Sequence, residues 1–186
     1  MVVALAAGVV IGYLTGGRLR AMGEAELRWS PAMMAGIALQ VASVFVDGFA
    51  GVTLVLASFA LIVAFTAMNL TKPGMGVVLV GVALNAIVIG VNGGMPVRAD
   101  AIVAAGIADR DEIDELDFES KRHLETDDDE VTFLGDILPV PFARVVLSFG
   151  DLVMTVGVAD VVVHLMRTGR RGATRVVRPP GQEGSG

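Results

Sequence analysis

Two short elements of this chain repeat the same chemistry: Phe133-Leu134-Gly135-Asp136 and Ser148-Phe149-Gly150-Asp151. Each places a carboxylate directly after a glycine. Between them and an upstream turn, Asn92-Gly93-Gly94-Met95-Pro96, lies Lys121-Arg122-His123. Carboxylates and cations converging at one surface can bind a zwitterionic ligand such as a lipid headgroup; caps and ion pairs are the structural alternative. The candidate binding residues are Asn92, Lys121, His123, Asp136 and Asp151. A second set is polar side chains inside apolar stretches: Gln40, Asn85, Asp160 and His164. An ionised group in a bilayer centre costs about 2.5–3.5 kcal/mol or more, so Asp160 needs a partner or a wet cavity. Gly157, Asp160 and His164 share one helical face at i, i+3 and i+7, which suits a proton or cation relay or a local Asp–His pair. Gln40 and Asn85 suit hydrogen bonds between helices.

Other chemistries lack their residues. With no cysteine, disulfides and thiolate metal sites are excluded, and the two histidines form no HExxH motif. No metal and no cofactor is expected. Asp127-Asp128-Asp129-Glu130 lacks the spacing of a calcium loop and reads as a solvated acidic run. No phosphate-binding glycine loop and no GxSxG element occurs. The only basic region is the short tail, so nucleic acid is not an expected partner.

These residues are punctuation among five apolar stretches, at about 1–17, 31–46, 49–70, 75–91 and 149–166. The mean hydropathy of +0.69 and 54% hydrophobic content exceed those of an ordinary soluble domain. Residues 49–70 carry no charge and no polar stripe, so a soluble amphipathic helix is excluded there. About 20 apolar residues are needed to cross about 30 Å of hydrocarbon. Positive charge alternates between the connections. Arg18, Arg20 and Arg28 follow the first stretch and Lys72 the third; Arg167, Arg170, Arg171, Arg175 and Arg178 follow the fifth. The turn after the second has none. By the positive-inside rule the N-terminus is outside and the C-terminus is cytoplasmic. The first stretch lacks a preceding basic segment and reads as a retained helix rather than a cleaved signal.

The expected fold is all-α: an integral membrane bundle of five transmembrane helices with an external cap or re-entrant segment. Residues 1–91 supply four helices, 92–148 an acidic external cap, 149–168 the fifth helix, and 169–186 a basic, disordered cytoplasmic tail. The cap carries fourteen acidic and five basic residues. Within it, 98–107 predicts one short helix. Residues 131–147 are apolar but broken by Pro139 and Pro141, which suits a re-entrant or interfacial segment. Ser148 with Asp151 has the spacing of a capping box at the start of the last helix. Ala4, Gly8, Gly12 and Gly16 share a face that fits close packing within the bundle, or a homo-oligomer through Gly8, Gly12 and Gly16.

The turn at 92–97, the Lys121-Arg122-His123 element and the two Gly-Asp elements, the second running into an apolar helix with Gly157, together resemble the bacterial membrane-protein family called domain of unknown function 5317. Where that family shows Lys-His, this chain has an additional arginine, and its acidic insertion around 109–119 is longer. The resemblance implies a small bacterial inner-membrane protein and carries over no catalytic residue.

The unusual residues gather at the outer interface. The expected function is therefore a non-enzymatic binding or interaction module, set in the lipid bilayer, whose cap receives a lipid headgroup or an envelope partner protein. A small transporter or ion pathway centred on Asp160 is the alternative. A membrane-embedded enzyme using His123 with Asp136 on a lipid headgroup is the third.

Overall fold

A computed structural model describes residues 2–23, 26–116, 118 and 121–172. The apolar stretches form helices α1 (Val2–Leu14), α3 (Ser30–Ala42), α4 (Gly48–Met68), α5 (Met75–Asn92) and α7 (Phe149–Gly172), with a short α2 at Leu19–Gly23. Among the described residues, three helices are long and apolar enough to cross a membrane: Gly48–Met68, Met75–Asn92 and Phe149–Arg167. The chain is a membrane protein, but the expected five spans are corrected to these three. At 1.5 Å per residue, the 13 residues of α1 and of α3 reach only about 20 Å, short of the hydrocarbon thickness. The first stretch stops at Leu14 because Gly16 turns the chain at φ 84°. In the second, α3 gives way to a 3-10 turn, Ser43–Phe45.

The all-α expectation is also corrected. The cap contains a four-stranded sheet in the order β2-β1-β3-β4, with β1 at Met95–Val97, β2 at Arg122–Leu124, β3 at Asp136–Val140 and β4 at Val145–Ser148. β1 runs parallel to β2 and β3, whereas β3 and β4 form an antiparallel hairpin. Pro139 and Pro141, expected to break a helix, stand instead in a strand and its turn, where Val140, Val145 and Val146 favour extended backbone. The short helix expected within 98–107 is α6, Ala99–Ala104.

The helices pack in sequence of contact: α3 on α4, α4 on α5, α5 on α7, and α7 on α1 and α2. The core of the bundle is Val52, Val55 and Phe59 of α4 against Val78, Val82, Val88 and Ile89 of α5. A smaller core holds the cap: Val97, Ala101, Ile102, Ala105, Ile113 and Val146. Glycine sets the closest approach. A Cβ at Gly81 would stand 2.6 Å from the Met154 nitrogen, and one at Gly157 would stand 2.6 Å from the Val78 nitrogen. Gly8 and Gly12 of α1 lie against Val162 and Met166 of α7 in the same way.

The two ends of the bundle differ in charge. Asn69, buried after α4, accepts from the Arg28 amide at 2.9 Å and donates to the Arg28 carbonyl at 2.8 Å. The Arg18 amide donates to the Met166 carbonyl at 2.9 Å. The connections bearing Arg18, Arg20, Arg28 and Lys72 therefore meet the distal part of α7 at one end. The acidic cap closes the other. α7 continues helical to Gly172, and residues 173–186 of the expected basic tail lie outside the described residues.

Candidate functional site

The two Gly-Asp elements meet in strand register. Asp136, the first residue of β3, stands opposite Ser148, the last of β4. Gly135 permits this placement, because a Cβ there would lie 2.7 Å from the Pro96 carbonyl oxygen. β4 passes directly into α7, so one hairpin strand carries Ser148 and Asp151 to the head of a spanning helix.

Ser148 and Asp151 form the expected capping box. The Asp151 amide donates to Ser148 Oγ at 2.9 Å, and the Ser148 amide donates to Asp151 Oδ2 at 3.4 Å. Asn85, buried on α5, ties this cap to the bundle. Its Nδ2 donates to Asp151 Oδ1 at 2.8 Å, and its Oδ1 accepts from Ser148 Oγ at 2.9 Å. Gly150 makes the contact possible, since a Cβ there would be 2.0 Å from Asn85 Oδ1.

Asp136 is different. It is 1% exposed, and among the described residues neither carboxylate oxygen has a hydrogen-bond partner. Arg122 Nη2 lies 3.0 Å from Oδ2, within ion-pair distance, but no donor is aligned on either oxygen. Burial pushes the carboxyl up to about 7; Arg122 pulls it down and the nearby Asp151 charge raises it further. Arg122 is half exposed and connects the buried group to the surface. A buried carboxylate without donors is costly, and the arrangement can either hold a proton or accept hydrogen bonds from an incoming donor.

His123 does not reach Asp136. Its Nε2 lies 2.8 Å from Asp129 Oδ1, and its ring covers Gly94. Burial of Asp129 opposes its ionisation, but hydrogen bonds from His123 and Thr126 outweigh burial and hold its pKa below the ordinary value. Asp129 therefore organises the loop, while Asp127 and Asp128 are exposed. Asn92 caps the same loop: its Nδ2 donates to the Glu130 carbonyl at 2.9 Å, and its Oδ1 accepts the Glu130 amide at 2.8 Å. Lys121 enters through its backbone, whose carbonyl accepts from the Met95 amide.

The structure thus brings together Asn85, Asp136 and Asp151 of the sequence-derived candidates, and sets Asn92 and His123 in the adjoining loop. Gln40 is exposed on α3, away from this cluster. Asp160 and His164 pair along one turn of α7, His164 Nδ1 lying 3.0 Å from Asp160 Oδ1, with both half exposed. Arg122 and Ser148 were missing from the candidate residues. Ser148 was visible only as a helix cap, and nothing in the spacing distinguished Arg122 from its neighbours. Among the described residues, no group of three His, Cys, Asp or Glu side chains is placed to hold a metal.

The family model described as "Family of unknown function (DUF5317)" matches residues 24–163, which include every side chain of this cluster. No curated protein and no solved structure matches the chain.

Proposed function

The chain belongs to the DUF5317 family, whose function is unknown, and from that premise we propose that it is a non-enzymatic membrane binding module with its ligand site at Asp136. The observation that carries this reading is the buried carboxylate with no hydrogen bond on either oxygen among the described residues. A ligand that presents N–H or O–H donors would supply them. An amine- or hydroxyl-bearing headgroup, or a partner protein with such a side chain, has that chemistry. Asp151 is held by Asn85 and by its own helix cap, so it sets the position of the site while Asp136 accepts the ligand. The pair formed by His123 and Asp129 steadies the neighbouring loop.

The charge separation between the ends supports an orientation with the acidic cap outside and the turn bearing Lys72 cytoplasmic. With α4, α5 and α7 as the spans, the α4–α5 turn and the cap between α5 and α7 fall on opposite sides of the bilayer. The site then lies at the outer membrane interface of a bacterial plasma membrane.

The test is native mass spectrometry of the protein released from its own membrane in mild detergent. Wild type should carry a stoichiometric small molecule, lipid or protein that Asp136→Asn loses, with unchanged amide exchange in α5 and α7. A bare wild-type particle, or the same adduct on the folded variant, would overturn the proposal.

A further inference from the structure

The β3–β4 hairpin has two unlike faces. In its antiparallel register Leu138 stands opposite Leu147 and Val140 opposite Val145, so these four side chains share one face. Val146 points to the other face and is buried with α6 in the core of the cap. Arg144 also turns toward α6: its Nε donates to the Gly106 carbonyl at 2.8 Å. Neither apolar core includes Leu138, Val140, Val145 or Leu147; Val145 is exposed, and the other three are partly buried. At the tip, Phe142 is 89% exposed, the most open large hydrophobic side chain among the described residues. Residues 137–143 and 145–149 contain no charge.

We propose that the exposed Phe142 and Val145 at the hairpin tip are seated in the outer leaflet of the bilayer that holds α4, α5 and α7. The occupant is lipid because the hairpin is continuous with a lipid-facing surface. β4 becomes α7 without an intervening residue, and Phe149, Leu152 and Val156 continue as exposed apolar side chains along that spanning helix. The only cation of the hairpin is withdrawn to the opposite side. An exposed apolar patch of this kind marks a membrane or protein contact, and its continuity with a span favours the membrane. A hairpin anchored in this way would hold β3, and with it Asp136, at the depth of the lipid headgroups.

The chain has one tryptophan, Trp29, which allows a clean test. In full-length Trp29→Phe protein, Phe142→Trp places a single fluorophore at the tip, and Phe149→Trp places one at the head of α7 as a reference. Both are reconstituted in phosphatidylcholine–phosphatidylglycerol vesicles with acyl chains brominated near the headgroup. The inference expects blue-shifted emission at 142 and quenching comparable to that at 149. Red, unquenched emission at 142 beside a quenched 149 would put the tip in water and overturn it. Blue-shifted emission that brominated lipid does not quench would place a second copy or another protein on this face, and would overturn it equally. Phe142 is almost wholly exposed, so its replacement leaves the fold intact.

Discussion

Asp136 should titrate near neutral pH, and its replacement should change how stability depends on pH. Burial moves its carboxyl from 3.8 to about 7, which corresponds to roughly 4 kcal/mol of preference for the neutral form. Arg122 opposes this shift, and because it is half exposed, solvent screening weakens its opposition. Between about pH 4 and pH 7 the folded protein holds a proton that the unfolded chain has released. Stability from this group is therefore complete below about pH 4 and falls as pH rises through 7. Asp136→Asn is neutral throughout. It should melt near wild type at pH 4 and above wild type at pH 8, with the gap opening across that window. The direct assay is infrared difference spectroscopy of the carboxylic-acid stretch during a pH titration. One band should vanish with a midpoint near 7 and be absent in Asp136→Asn. Arg122→Gln should move the midpoint up and Asp151→Asn should move it down, because those charges act in opposite directions. A spectrum in which every carboxyl has ionised by pH 5 would refute the reasoning, as would equal pH slopes for wild type and Asp136→Asn.

Two further outcomes follow from packing and topology. Gly150→Ala puts a methyl 2.0 Å from Asn85 Oδ1 and should destabilise the α5–α7 pair by about 1–3 kcal/mol in detergent melts, whereas Gly90→Ala, with nothing nearer than Leu56 Cδ2 at 3.9 Å, should not. Equal melting of the two variants would show that the helices do not approach at Gly150. The chain has no cysteine, so Asp128→Cys and Thr71→Cys can each be labelled alone. An impermeant maleimide applied to intact cells should reach position 128 and spare 71, and the reverse pattern would invert the orientation.

The spans were legible where the sequence was long and uncharged. Residues 49–70, 75–91 and 149–166 each became a helix of sufficient length. The stretches at 1–17 and 31–46 misled because hydropathy registers composition and not where the helix stops. The capping box of Ser148 and Asp151 was legible because it is local, four residues governed by one helix start. The sheet was not. Strands of three to five residues resemble a proline-broken interfacial segment, and only register reveals them as strands. The two Gly-Asp elements could be noticed as a repeat, but their meeting at Asp136 and Ser148 depends on hairpin pairing that no local pattern encodes. The partner of Asp136 was missed for a related reason. Arg122 and His123 are consecutive in β2, and consecutive strand residues face opposite sides, so one reaches Asp136 and the other Asp129.

The same geometry bears on why a carboxylate stands at 136 at all. Nearby polar groups illustrate what a structural role demands here. Asn85, Ser148 and Asp151 satisfy one another through four hydrogen bonds, and glycines at 81 and 150 clear the space for them. Asp136 shares their location, but among the described residues its carboxylate receives no hydrogen bond. Strand β3 takes its pairing from the backbone, so a neutral side chain at 136 would preserve the sheet without the cost of a buried charge. That cost falls where the sheet, the head of α7 and the surface-reaching Arg122 converge. Local rules are broken most informatively where the rest of the fold is consistent, and here capping, glycine placement and the apolar cores all agree. A donor arriving at the Asp136 carboxylate would recover part of the free energy lost on burial. The structural penalty would then become affinity, with the bound state favoured by the same low-polarity surroundings that disfavour the empty one.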